Sequence, residues 1–170
     1  MSIPTARVNG VFLLVLGLSM FPTRLWAQSD AKPFRHDWNG HAAFLVGTCW
    51  HGYTLAGAGG GAEAFVWRRL AIGGDFSVQR FVTEAPAFGL LSMNVGYHFA
   101  DRGKASGLDP FISLIMGGAF SPEFWASTNG ISGGINYWFR RGIGLRAEGR
   151  FLVADPEEGV LMARIGLAFR

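Results

Sequence analysis

Four histidines (His36, His41, His51, His98) and one cysteine, Cys49, are the side chains in this 170-residue chain best suited to catalysis or metal binding. All of them lie in its first two thirds. A nucleophilic serine needs a histidine base and an acid that orients it. Residues 142–170 contain neither Ser nor His, and Ser92 and His98 sit too far apart along one strand to meet. His36, Asp37 and His41 have metal-binding groups, but their spacing belongs to no helix and brings no supporting shell. A single Cys excludes a disulfide framework and a Cys-based zinc site. Gly57 to Gly61 is not a phosphate loop, because no Lys-Ser/Thr follows it. Those glycines are expected to thin a strand where backbones pack closely. The expectation is therefore no catalytic residue, no cofactor and no metal.

A second set of residues is more telling. Glu63, Asp75 and Glu148 match Arg146, Arg150 and Arg164 in number, three acids against three arginines. Each falls in a run whose polarity alternates with period two, the mark of a strand with two unlike faces. In 161–169, Leu161, Ala163, Ile165, Leu167 and Phe169 alternate with Met162, Arg164, Gly166 and Ala168. In 143–153, Leu145, Ala147, Phe151 and Val153 alternate with Gly144, Arg146, Glu148 and Arg150. Segments 70–80 and 87–99 repeat the pattern, placing Asp75, Ser77 and Gln79, then Ser92, Asn94 and His98, on their polar faces.

Eight such segments are expected, at 39–50, 57–67, 70–80, 87–99, 110–120, 130–139, 142–153 and 159–170. Strands that cross a bilayer on a tilt need about 9–11 residues. Globular strands average about 5–6. The connections also alternate: Arg68-Arg69, 100–109 and Arg140-Arg141 at one end, then 51–56, 81–86, 121–129 and 154–158 at the other. The stretch ending Trp67-Arg68-Arg69 resembles the one ending Trp138-Phe139-Arg140-Arg141, an offset that suggests an internal repeat. Trp67 and Trp138 are expected either in an interfacial girdle or at the mouth of the lumen. An even strand number lets the sheet close, which removes the unpaired edges that lipid cannot satisfy.

The N-terminal residues carry an expectation about compartment. Arg7, the apolar run Val11 to Phe21 and the small residue Ala27 read as a secretory signal peptide over 1–27, leaving 28–170 as the barrel domain. That run is too short for a spanning helix. Without Arg7 and Arg24, 13 basic residues remain against 12 acids, a net charge of +1. The sequence pI of about 9.5 thus partly reflects the leader, and overall charge gives no case for a nucleic-acid partner. Hydrophobic residues are 49% and charged residues 16% of the chain, with mean hydropathy +0.24. Soluble domains carry about 25% charged residues.

With lipid outside, the polar face turns inward. The inward set is Glu63, Asp75, Ser77, Gln79, Ser92, Asn94, His98, Ser113, Asn136, Arg146, Glu148, Arg150 and Arg164, with His41 beside them. A soluble ligand-binding barrel has the opposite pattern. Eight strands enclose room for side chains only, so matched charges should pair across the lumen and plug it. Gly73, Gly96, Gly134, Gly144 and Gly166 make room for them. Aromatics at the segment ends, among them Trp38, Tyr97, Trp125 and Tyr137, fit interfacial girdles.

The chain ends Ile165-Gly166-Leu167-Ala168-Phe169-Arg170. A terminal alternating strand closing on an aromatic resembles the assembly signal of outer-membrane barrels. Together with eight strands and a leader, the whole mature chain resembles the OmpA/OmpX-like group of small outer-membrane barrels. Arg170 after the Phe is a departure from the usual terminal Phe. The resemblance implies an eight-stranded antiparallel up-and-down transmembrane β-barrel in a bacterial outer membrane, monomeric, with a structural, envelope or surface-interacting role. It implies outer-membrane lipids and lipopolysaccharide as partners, and recognition of Phe169 by the barrel assembly machinery. Some barrels of this size are lipid A deacylases or palmitoyltransferases. A lipid-modifying enzyme is therefore the alternative function, although the His-x-Ser of a deacylase is missing from 142–170. A small ligand-binding barrel is a further alternative.

Overall fold

The structure is a computed structural model that describes residues 38–49, 51–83, 87–100, 107–139, 142–154 and 158–170. The leader read at 1–27 and the Arg140-Arg141 turn lie outside the described residues, as do Glu84, Asp155 and Glu157 in the opposite connections.

Eight strands follow one another: β1 Trp38–Cys49, β2 Thr54–Trp67, β3 Leu70–Phe81, β4 Ala87–His98, β5 Gly107–Phe120, β6 Trp125–Trp138, β7 Ile143–Ala154 and β8 Glu158–Phe169. Each pairs antiparallel with its neighbours in sequence, and β8 returns to β1 from Gly40↔Phe169 to Cys49↔Val160. The result is a closed up-and-down barrel. Each strand is 12 or 14 residues long, which exceeds the crossing length of about 9–11. β2, β5 and β6 begin earlier than their alternation suggested, so the connections are shorter than expected.

Burial alternates along the strands as the polarity does, but with the reverse sign of a soluble protein. Arg150, Arg164 and Asp75 are 2%, 3% and 2% exposed, whereas Phe44, Leu114 and Ile165 are 74%, 64% and 63% exposed. Water outside would make such a wall an aggregation surface. Lipid outside makes it the low-energy arrangement. The chain is thus a transmembrane β-barrel.

Two hairpins that look alike in sequence differ in detail. At the β2–β3 turn the register shifts between Phe65 and Trp67, and Arg68 adopts a left-handed φ of 35°. The extra residue reverses the parity of the strand end, so Trp67 faces outward, 68% exposed. Trp138 follows an unbroken strand and is only 3% exposed. The lumen-mouth alternative therefore holds for Trp138 and fails for Trp67.

Inward glycines let side chains cross the lumen. A Cβ on Gly57 would strike the Val78 carbonyl, and one on Gly166 would strike the Ala42 carbonyl. The Gly-rich stretch of β2 is thus a thin wall, as its sequence suggested.

Candidate functional site

The lumen is divided across its length. In the half nearer the chain ends, all eight strands contribute to one polar network. Asp75 on β3 is its hub. It accepts hydrogen bonds from His41 Nε2 at 2.8 Å, Arg164 Nη2 at 2.9 Å and Arg150 Nη1 at 3.1 Å. Glu148 on β7 accepts from Arg150 Nε at 2.6 Å and Arg146 Nε at 3.0 Å, with Arg164 Nη1 3.8 Å away. Neighbouring carboxylates therefore share guanidinium groups, and the pairs merge into one chain of charge.

The chain continues toward the end of the barrel. Glu63 on β2 lies 3.6 Å from Arg146 Nη1 and accepts from Asn39 Nδ2 at 3.2 Å. His98 on β4 stands between two acids. Its Nδ1 donates to Asp109 Oδ2 at 2.8 Å, and its Nε2 is 3.2 Å from Glu63 Oε1, off the line of a hydrogen bond. The His98 ring stacks on Phe111, and the Arg146 guanidinium lies 3.9 Å from the centre of that same ring. Asn136 connects Asp109 to Arg146, donating at 3.4 Å to the acid and accepting at 3.5 Å. Beyond β8, the Arg170 guanidinium lies over the Trp138 ring, 4.3 Å from its centre. Partial burial there lowers the Arg170 pKa from its ordinary value, opposed by the nearby Asp109 carboxylate.

The six network residues expected from sequence, Glu63, Asp75, Arg146, Glu148, Arg150 and Arg164, all meet here. His41 joins them through Asp75. Two features differ from expectation. Asp109 was assigned to the 100–109 turn but lies on β5, 8% exposed, as a fourth lumen acid. The charges are thus four acids against three arginines among the described residues, with two imidazoles between them. Asn39 was also missed as the second partner of Glu63.

The larger difference is in the other half of the lumen, where the expected inward residues Ser77 and Gln79 are buried, Gln79 donating to Ser77 Oγ at 3.1 Å, but stand among apolar side chains. Leu45, Leu90, Ile115, Ala119, Leu152 and Met162 form one buried apolar cluster, with Phe88 and Val160 packed against it. Tyr53, Phe81, Phe88 and Phe124 continue it as a chain of ring contacts, with centroids 5.8, 5.6 and 6.1 Å apart. The signal was present in the sequence. Leu90 precedes Ser92 by two residues, Ile115 follows Ser113, Leu152 follows Arg150 and Met162 precedes Arg164. Each continues the inward parity of its strand.

Among the described residues no group of His, Cys, Asp and Glu is arranged to hold a metal ion. His41 and His98 are both engaged with carboxylates, and Cys49 is buried. Phe169 faces outward, pairing with Gly40 and Ile143.

A closed sheet of eight strands with charge inside and apolar side chains outside defines the class: a small transmembrane β-barrel of the outer-membrane type. No family model and no curated protein matches the sequence. Solved structures do. The N-terminal β-barrel domain of Pseudomonas aeruginosa OprF aligns over 77% of this chain and 96% of its own, with TM-score 0.59 and 16% identity. Neisserial surface protein A aligns over 78% and 94%, with TM-score 0.56 and 14% identity. A barrel from a study of de novo transmembrane β-barrel design aligns over 77% and 93%, with TM-score 0.50 and 16% identity. The resemblance to small OmpA/OmpX-like barrels therefore holds at the level of fold. A fold that can be designed without a natural task does not carry a function by itself.

Proposed function

We propose that this chain is a non-catalytic, monomeric barrel of a bacterial outer membrane, with a structural, envelope or surface-contact role and a sealed lumen. One observation carries the reading: the lumen holds a spanning charge network at one end and a packed apolar layer at the other. The network ties all eight strands across the interior, β6 through Asn136. The apolar layer would deny ions a hydrated path, because an ion between Leu90, Ile115 and Leu152 would lose its water and meet no charged partner, only the uncharged Ser77, Gln79 and Thr128. The inverted faces support residence in lipid, and the barrels OprF and Neisserial surface protein A point to the outer membrane. The termini and the Arg68-Arg69 turn would face the periplasm, with the opposite connections outside. Outer-membrane lipids and lipopolysaccharide would be its surroundings, and Phe169 would present the last strand to the assembly machinery.

Two measurements test this. Outer-membrane fractionation followed by gel migration of unheated and heated samples should give a membrane band that shifts on heating. The purified barrel should then be electrically silent in planar bilayers. A stable conductance of porin size would sink the sealed lumen. A change in lipid A mass on deletion of the protein would instead support the lipid-modifying alternative.

A further inference from the structure

The outer wall is not uniform. On β2 the outward positions are Ala56, Ala58, Gly60, Ala62 and Ala64. Beside Ala56 to Gly60 the neighbours in register are larger, Val46 and Phe44 on β1 and Val78 and Phe76 on β3, whereas Ala42, Gly40 and Gly74 flank Gly60 and Ala62 with small groups. Val46, Phe44, Val78 and Phe76 are 54%, 74%, 48% and 47% exposed. Adjacent strands are about 4.8 Å apart, so the two ridges stand roughly 9.6 Å apart. Between them runs a shallow apolar trough along β2, wide enough for one acyl chain. The ridged part, Ala56 to Gly60, spans about 14 Å at roughly 3.4 Å per residue.

One end of this trough is charged. In register the row reads Val46, Ala56, Arg80, with Ala87 on the far side of Arg80. Arg80 is exposed, and its neighbours in sequence, Gln79 and Phe81, belong to the inward face. Among the described side chains of the eight strands it is the only charged one on the outward wall. It lies one residue from the end of β3, where the cost of a cation in lipid falls to about 0–1 kcal/mol. Small neighbours on both sides leave its guanidinium free to rise into the headgroup layer. Thr54 and Thr48, paired and outward-facing, lie two residues further toward the strand ends, where Thr48 donates its hydroxyl to the Cys49 carbonyl at 3.3 Å.

We infer that β1–β3 form a binding face for one phosphate-bearing anionic lipid of the leaflet at this end, its phosphate on Arg80 and one acyl chain in the β2 trough. Guanidinium and phosphate are geometrically matched through paired N–H donors. An apolar trough headed by a cation matches an anionic amphiphile and no fully polar ligand. The inference rests on the membrane reading above.

The test uses the full mature barrel refolded into vesicles of phosphatidylcholine with a minority of phosphatidylglycerol. Native mass spectrometry after detergent extraction reads which lipid stays bound. Wild type should retain phosphatidylglycerol preferentially. Arg80→Gln should cut that preference about fivefold, and Arg80→Lys should keep most of it. Ala58→Phe, which fills the trough, should reduce retained lipid with Arg80 intact. Ala147→Phe, outward on β7, should change nothing. Equal retention by wild type, Arg80→Gln and Ala58→Phe would overturn the site and leave only non-specific surrounding lipid. Heat-shifted migration of each sample separates the two readings. A folded barrel without preference defeats the lipid site alone, whereas no folding into vesicles defeats the membrane reading as well.

Discussion

The two halves of the lumen solve one packing problem with opposite chemistry. Near the chain ends, nine ionised or ionisable groups form one network centred on Asp75 and Glu148. Toward the other end, Leu90, Ile115, Leu152 and Met162 fill most of the same cross-section, and the buried polar side chains among them, Ser77, Gln79 and Thr128, are uncharged. The barrel wall is similar in both. The difference lies in how each half fails. A charge network is sensitive to the loss of one partner, because the remaining charge stays buried and uncompensated. An apolar layer is sensitive to lost volume and indifferent to which apolar group supplies it. The first fixes register and strand neighbours. The second excludes water.

The sharpest way to break this comparison is Asp75→Ala. It removes a partner from Arg150, Arg164 and His41 together, leaving both arginines to Glu148 alone, and should cost about 3–5 kcal/mol, read as a lower urea midpoint for unfolding from vesicles. An unchanged midpoint would mean that water enters the network and compensates the arginines. Leu152→Ala tests the apolar half by the same assay and should cost about 2–5 kcal/mol. Leu152→Met, which keeps the volume, should cost less than about 1.5 kcal/mol. If the Met variant were as damaging as the Ala variant, shape rather than volume would govern this layer.

The outer wall provides a reference for both. Leu114→Arg, near the middle of β5, should cost about 2–4 kcal/mol, and Leu167→Arg, near the end of β8, about 0–1 kcal/mol. Equal effects would mean that the depth assignment is wrong. The smallest expected effect is that of salt. The network is buried, and exposed charges alone are strongly screened. Raising ionic strength should therefore leave the wild-type midpoint in place. A marked fall would show that the charges are reached by solvent.

Much of this was legible in the sequence because period-two alternation constrains every residue of a strand at once. Fixing Arg146 as inward also fixes Glu148 and Arg150. Glu63, Asp75 and Arg164 followed from their own strands, and closure of the sheet then had to bring them together. The apolar half escaped for a reason of contrast. Leu152 between Phe151 and Val153 shows no alternation, since both faces are apolar there, and only the parity of its polar neighbours assigns it. Asp109 escaped because the polar stretch 100–109 read as a turn ending just before Pro110, whereas the strand begins at Gly107. Trp67 escaped because one extra residue in β2 reverses parity with no mark in the composition. Partner choice within the network, such as Asp75 with Arg150 across 75 positions of sequence, depends on the stagger of the barrel, which alternation does not encode.

That extra residue in β2 has an optical consequence. It leaves Trp67 on the outer surface while Trp138 stays enclosed beneath Arg170. Two nearly matching hairpins thus give two fluorophores in unlike media. With the other tryptophans replaced, Trp67 emission would follow insertion into lipid, and Trp138 emission would follow closure of the interior. Their relative timing would show whether the wall meets the bilayer before or after the inside is packed.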